Sequence, residues 1–152
     1  MKLNKKGVTL VELIVVLVII AVGAALVIPN LRPWINNFRL RSATRDVVST
    51  LRTAQMKAVS NNCFYQVDFT AADYILRRSS TGLDPDPWPS EGATQTLPTG
   101  ISIKSNSFAN PGLKALFKPN SSSNGGTVIL QDPKGTTRTI TVLPSTGRIA
   151  IQ

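Results

Sequence analysis

One carboxylate, Glu12, stands alone in the apolar N-terminal part of the chain, "KKGVTLVELIVVLVII" at residues 5–20. It is the only charged side chain between residues 8 and 28. A charged residue at a bilayer centre costs roughly 2.5–3.5 kcal/mol on insertion scales, so this charge predicts a cationic partner at the same depth. Cleavage after Gly7 would create such a partner, the α-amino group of Val8. The amine would lie about one helical turn from Glu12 of its own chain, or it would meet Glu12 of a staggered neighbour. The chemistry indicated is therefore ion pairing that sets the register of packed helices.

The rest of the sequence offers few groups for catalysis or metal binding. It contains no histidine and one cysteine, Cys63, which excludes a Ser-His-Asp triad, a histidine-based metal site and an intramolecular disulfide. We expect Cys63 to be a small buried apolar residue. Asp84 and Asp86 could suggest calcium, but no further carboxylate spacing completes a site, and a plain loop is favoured. The sequence therefore predicts neither an enzyme nor a cofactor or metal.

The chain is strongly basic, with a net charge of +9 from 17 Lys and Arg against 8 Asp and Glu. A basic surface favours anionic partners such as nucleic acid, lipid headgroups or polysaccharide without choosing among them. Part of the charge forms a row after the apolar run: Arg32, Arg39, Arg41, Arg45, Arg52 and Lys57. Such a row could bind nucleic acid, and near a membrane it suits anionic headgroups. The favoured interpretation is the solvated face of a helix whose other side packs on a sheet.

The element that must carry Glu12 is the apolar run itself. Its 21 residues, 8–28, would form a helix of roughly 31 Å, about one hydrocarbon core. The preceding Lys2, Lys5 and Lys6 predict a cytoplasmic N-terminus. A secretory signal peptide fits less well, because no A-x-A-like site follows and the run is longer than the usual apolar region. We therefore expect a single membrane-spanning helix.

Apolar residues recur every three or four positions after the span, which predicts one helix from about Thr9 to Asn61. Pro29 and Pro33 predict a kink or local melting near residues 25–33. Beyond residue 62 the apolar period becomes two, which is typical of strands. The predicted strands are "FYQVDF", "DYILRRS", "GISIKS", "KALFK", "GTVILQ", "TTRTITVL" and "RIAI". The predicted fold class is α+β, a long N-terminal helix packed on an antiparallel β-sheet head.

The stretch "KKGVTLVELIVVLVIIAVGAALVIP" resembles the class III signal of type IV pilins and type II secretion pseudopilins. The resemblance implies that a prepilin peptidase cuts between Gly7 and Val8 and that the new N-terminal residue, Val8, is methylated. It also implies that Glu12 neutralises an N-terminal amine during filament assembly. Val8 departs from the commonest residue, phenylalanine, which leaves the extent of methylation open. The other positions that match the family are Thr9, Leu10 and Pro29.

Two further stretches narrow the resemblance. One cysteine cannot form the C-terminal disulfide loop of major type IV pilins, and no ligand set suggests the calcium site of the major secretion pseudopilin. "LRTAQMKAVSNN" and the closing "GTVILQDPKGTTRTITVLPSTGRIAI" resemble the minor GspH/FimT-type branch, whereas residues 72–124 do not. This resemblance implies a minor pseudopilin, a structural subunit of a type II secretion pseudopilus or type IV pilus-like filament, with a role in protein secretion.

The alternative role in that branch is a FimT-type minor pilin that binds DNA for natural transformation. Its C-terminal motif carries two arginines, whereas this chain has Arg148 followed by Ala150 where the second would be. One arginine supplies one phosphate contact, and useful affinity needs several. Arg138 and Lys134 could lie nearby in the sheet. DNA binding is therefore the less favoured interpretation.

The expected organisation has four parts: a leader at residues 1–7, a transmembrane and filament-core helix at 8–29, an amphipathic helix at 30–62 and a β-sheet head at 63–152. The expected partners are prepilin peptidase, other pilins or pseudopilins in a filament, and the bacterial inner membrane. The head would lie outside the cytoplasm, in the periplasm or in a surface filament.

Overall fold

The computed structural model describes residues 7–79, 88–108 and 114–152, and for residues 26–32 it describes the backbone without the side chains. The predicted loop residues Asp84 and Asp86 lie outside this set. The chain divides into two compact units, Met1–Ile35 and Asn36–Gln152. The second unit is called the head below. It contains the distal part of the helix as well as every described strand.

One helix, α1, runs over Leu10–Ser60, as the apolar period predicts. It ends where Asn61 donates its backbone amide to the Lys57 carbonyl at 3.0 Å and Asn62 turns to a φ of 49°. Asparagine tolerates this left-handed conformation better than most residues, which explains why the paired asparagines stop the helix.

The backbone of α1 stays helical through Pro29 and Pro33, so the predicted local melting does not occur. A proline removes one backbone donor but need not unwind the turns on either side. The kink at Pro29 stays a prediction.

Taken over the described residues, no helix combines the length and apolarity needed to cross a membrane.

After α1 the described part of the head contains short strands, and all described pairings are antiparallel. Sheet A has the order β3-β2-β1-β5, and sheet B has the order β4-β6-β7-β8. The strands are β1 Phe64–Phe69, β2 Asp73–Ser79, β3 Gln95–Thr96, β4 Ser102–Asn106, β5 Ala115–Phe117, β6 Gly126–Gln131, β7 Thr137–Val142 and β8 Ile149–Ile151. The α+β fold class is confirmed. The predicted antiparallel head consists of two sheets, because β5 pairs with β1 while β6 pairs with β4 and β7.

The distal part of α1 shares one core with both sheets. Its buried apolar residues are Leu40, Ala43, Val47, Val48, Leu51, Ala54 and Ala58. Sheet A contributes Tyr65 and Val67, and sheet B contributes Leu130 and Ile140. Each large apolar side chain buried in this way stabilises the folded state by about 1.5–3 kcal/mol relative to an exposed one. Cys63 is half-buried at the margin of the core rather than fully buried, because it lies in the connection between α1 and β1.

Candidate functional site

Thr9 caps the N-terminus of α1. Its side-chain Oγ1 accepts a hydrogen bond from the backbone amide of Glu12 at 3.2 Å, and its carbonyl accepts one from Leu13 at 3.2 Å. A threonine N-cap followed three residues later by glutamate is the sequence pattern of a capping box. The charge of Glu12 does not indicate this local role, but the spacing Thr-x-x-Glu at residues 9–12 carries its signal.

The predicted cleavage bond joins Gly7 to Val8, immediately before the cap. Residues 7–9 are not helical, and Val8 is 72% exposed. A Cβ built on Gly7 would meet nothing within 4 Å. Packing against the described residues therefore does not explain the glycine, and an exposed, non-helical bond is one that an enzyme can approach.

The first turns of α1 expose apolar side chains on every side. Their exposed fractions run from 48% at Val16 to 73% at Leu10. A helix that is apolar all round is normally covered, in the core of a large protein or in a membrane. The carboxylate of Glu12 lies in the first turn, where the partial positive charge of a helix N-terminus favours an anion.

In the head, a second group of residues forms a cleft between α1 and the end of sheet B. Arg41 and Arg45 on α1 and Arg138 on β7 line it together. Arg138 reaches this side because it shares a face of β7 with the buried Ile140 and Val142. The structure therefore brings the predicted Arg138 to the helix arginines.

Arg148 lies elsewhere. Its carbonyl accepts a hydrogen bond from the backbone amide of Leu143. Leu143 follows Arg138 by five residues, a distance of about 17 Å along an extended strand. Lys134 lies in the turn between β6 and β7, at the Arg138 end, where its amide donates to Asp132 Oδ1 at 2.9 Å. The three cations named for DNA contact are therefore not one cluster: Lys134 and Arg138 share one end of sheet B, and Arg148 lies at the other.

A polar cluster joins the end of α1 to the segment before β3. Lys57 Nζ lies 2.6 Å from Glu91 Oε1, and Asn61 Nδ2 donates to the Tyr65 hydroxyl at 2.7 Å. Burial raises the pKa of Tyr65, and a hydrogen bond to Glu91 raises it further. Burial alone would raise the pKa of Glu91, but hydrogen bonds from Lys57 and Tyr65 outweigh it and lower that pKa. The cluster fastens a chain segment and offers no catalytic arrangement.

Comparison with known families gives two matches, one over the N-terminal segment and one over most of the rest of the chain. The family described as "Type II transport protein GspH" matches residues 43–146, which include the last part of α1 and the strands β1 to β7. The chain belongs to the GspH family. A second pattern, the "Prokaryotic N-terminal methylation motif", matches residues 2–28 and covers Gly7, Val8, Thr9 and Glu12. Among curated proteins, none matches the chain significantly.

Solved structures agree with this fold. The minor pseudopilin EpsH from the type 2 secretion system of Vibrio cholerae superposes with a TM-score of 0.61 at 9% identity, over 75% of this chain and 96% of EpsH. The type IV minor pilin FimU of Pseudomonas aeruginosa, in two crystal forms, gives a TM-score of 0.58 at 16% identity. These matches cover 74% and 79% of this chain and 92% of FimU. The GspH-family chain thus has the fold of pilin-like structural subunits.

Proposed function

We propose that the chain is a minor pseudopilin, a structural subunit of a type II secretion pseudopilus or type IV pilus-like filament that serves protein secretion. Prepilin peptidase would remove residues 1–7, and Val8 would become the methylated N-terminus. The proposal rests on the arrangement at the N-terminus of α1. There an exposed Gly7–Val8 bond is followed by the Thr9 cap and by the Glu12 carboxylate in the first turn.

Cleavage would change the electrostatics of this turn. The α-amino group of Val8 would place a positive charge at the helix N-terminus, where the macrodipole already has its positive end. That arrangement is unfavourable unless an anion lies close by. Glu12 of the same chain can supply the anion before assembly, and Glu12 of a neighbour can supply it in a filament. A low-dielectric surrounding strengthens such a pair.

The exposed apolar surface of residues 10–22 supports the same proposal. Apolar surface of this extent needs cover from outside the chain. The bilayer would cover it before assembly, with the chain anchored once in the bacterial inner membrane and the head outside the cytoplasm. The corresponding helices of neighbouring pilins or pseudopilins would cover it in the filament, where the Glu12 pair sets their register.

The test removes the charge of Glu12 and leaves the Thr9 cap in place, because that cap uses the backbone amide of residue 12. Glu12→Gln removes the charge but keeps a polar side chain that also suits this position of a capping box, whereas Glu12→Val removes the charge and the polarity together. We expect both variants to partition into membranes at least as well as the wild type, because a costly charge is gone.

We expect both variants to be depleted from sheared filaments when they are co-expressed with prepilin peptidase and partner pilins. Thr9→Ser, which retains cap and carboxylate, is the control that should be incorporated normally. Normal incorporation of Glu12→Gln would refute the pairing role.

A further inference from the structure

Sheet B ends in a strand whose outer edge is unpaired. Thr139 and Gln152 exchange both backbone hydrogen bonds, at 3.1 and 2.8 Å, and the Leu143 amide donates to the Arg148 carbonyl at 2.9 Å. The bonds of an antiparallel ladder alternate, so the N–H and C=O groups of Ile149 and Ile151 point away from β7. Within the described residues, these groups have no hydrogen-bond partner. Such an edge is a template for another extended chain.

A groove runs between this strand and α1. Three clefts with volumes of about 350, 170 and 320 Å³ follow one another, since neighbouring clefts share Arg41 and Arg138 or Arg45 and Ile151. Four arginines contribute to its walls: Arg41, Arg45, Arg52 and Arg138.

No acidic side chain lies among the arginines of the groove. Across the part of the chain that the structure describes, none of the four forms an ion pair, and no Asp or Glu lines the three clefts. Asp46 follows Arg45 in sequence but acts on Tyr74, on the sheet A side of α1. The acidic side chains of the described residues therefore do not compensate this concentration of positive charge, which favours an anionic occupant.

Apolar side chains lie between the arginines. Val48, Met56 and Ile151 line one of the clefts together with Arg45 and Arg52. Met56 is 64% exposed and Ile151 is 45% exposed, so an occupant of the groove would cover both. The side chains of an extended peptide point alternately to opposite faces of the strand. This groove offers apolar contacts and cations to such side chains, and the edge of β8 offers hydrogen-bond partners to the peptide backbone.

We propose that the groove between α1 and β8 binds an extended acidic segment of another protein, which adds as a strand to the free edge of β8 and places its carboxylates against Arg41, Arg45, Arg52 and Arg138. A polypeptide fits these features better than a nucleic acid, because a phosphate backbone only accepts hydrogen bonds and would leave the C=O groups of β8 and the apolar positions without partners. The proposal is independent of whether the chain assembles into a filament.

The probe for this interaction is a labelled, end-blocked peptide of about seven residues, the length of a typical strand, in which valine alternates with aspartate. Its binding to the full chain in a non-ionic detergent would be followed by fluorescence anisotropy at about 150 mM salt, where weak surface attraction is screened. Two further peptides carry N-methyl groups, one on all valines and the other on all aspartates. Each blocks the N–H groups of one edge of the strand, because successive N–H groups point to opposite edges.

Strand addition uses one edge of the peptide, so we expect one N-methylated peptide to lose binding and the other to keep it. Equal binding of the two, or equal loss, would overturn the strand geometry.

Variants of the protein test whether the peptide binds in the groove. The double variant Arg45→Gln with Arg138→Gln should raise the Kd of the unmodified peptide by about fivefold to thirtyfold, the loss expected for two partly exposed ion pairs. Lys134→Gln with Arg148→Gln removes the same charge away from the groove walls and should leave the Kd unchanged. Circular dichroism checks that both variants fold. Equal effects of the two double variants would contradict the site.

The last experiment measures the binding of a single-stranded DNA oligonucleotide whose charge matches that of the peptide. Binding of DNA at about 150 mM salt that depends on Arg45 and Arg138, without binding of the peptide, would overturn the proposal and assign the groove to nucleic acid. Absence of binding by either probe would also contradict it.

Discussion

The backbone amide of Glu12 donates to Thr9 Oγ1 at 3.2 Å, so the residue that carries the lone charge is also held by the helix cap. The two roles act on different parts of the residue. The cap uses the backbone amide of Glu12, which leaves its carboxylate available to an amine. The Thr9 cap thereby fixes the first turn of α1 from which the carboxylate projects.

Removal of the Thr9 hydroxyl should loosen this turn. Thr9→Val keeps the shape of the side chain but removes the acceptor, and the loss of an N-cap costs about 1 kcal/mol. We expect faster backbone amide exchange at Glu12 and Leu13 of the full chain in detergent, measured by hydrogen exchange. Thr9→Ser retains the acceptor and should exchange as the wild type does. Unchanged exchange in Thr9→Val would show that the cap does not stabilise the turn.

The secondary structure was largely predictable because it rests on local patterns. Apolar spacing of three and four residues set the extent of α1, and the period of two located β1, β2, β6 and β7. The short strand Gln95–Thr96 was missed, because two exposed residues carry no period and the pairing with β2 depends on the tertiary fold. The division into two sheets was missed for the same reason, since strand partners are not written in local sequence.

The ion pair between Lys57 and Glu91 should make stability depend on acid pH. The pKa of Glu91 is lowered below its ordinary value of 4.5 in the folded protein, so its contribution is present above about pH 4.5 and is lost as the pH falls through the folded value. Both side chains are partly exposed, which limits the effect to about 1 kcal/mol or less.

This dependence can be isolated by comparing variants. We expect urea denaturation of the full chain in detergent to show a smaller loss of stability between about pH 6 and pH 3 in Glu91→Gln than in the wild type. Asp73, which forms no ion pair in the part of the chain described, supplies the control variant Asp73→Asn. An identical pH dependence in Glu91→Gln and the wild type would contradict the role of the pair.

The glycine of the "GR" motif should be needed for folding. Gly147 has a φ of 62°, and an added Cβ would lie 2.5 Å from the Ser121 carbonyl oxygen and 2.6 Å from Gln55 Nε2. Backbone strain and the clash together should cost Gly147→Ala about 2–3 kcal/mol in urea denaturation. Gly135→Ala shares the positive φ without a close contact and should cost about 1 kcal/mol. Equal losses would show that the close contact does not matter.

The motif's arginine should contribute little to DNA binding. Arg148 lies about 17 Å of strand from Arg138, so it cannot join that cation in one phosphate cluster. We expect weak, sequence-independent DNA binding that is lost by roughly 150 mM salt and that changes little in Arg148→Ala. Sub-micromolar affinity at that salt that collapses in Arg148→Ala would make DNA uptake the better interpretation.

The candidate residues at the N-terminus were easier to predict from the sequence than the groove between α1 and β8. Glu12 and Gly7 are conspicuous because a charge and a glycine interrupt or border an apolar run. The cleft that joins Arg41 and Arg45 to Arg138 was missed as a site, because about 90 residues separate the helix from β7 and their proximity depends on how the chain folds back. The row of arginines on the helix is visible in the sequence, but the sequence does not show that β7 packs beside it.

Intact-mass measurement of the chain co-expressed with a prepilin peptidase tests directly whether residues 1–7 are a cleaved leader. We expect the wild type to lose residues 1–7 and to gain the mass of a methyl group on Val8, while Gly7→Val stays full length because the peptidase must approach the scissile backbone closely. Gly23→Ala, a glycine change within the helix that meets no close contact, should be processed like the wild type. A wild-type chain that stays full length beside an active peptidase, or a Gly7→Val chain that is cleaved, would contradict cleavage directed by Gly7.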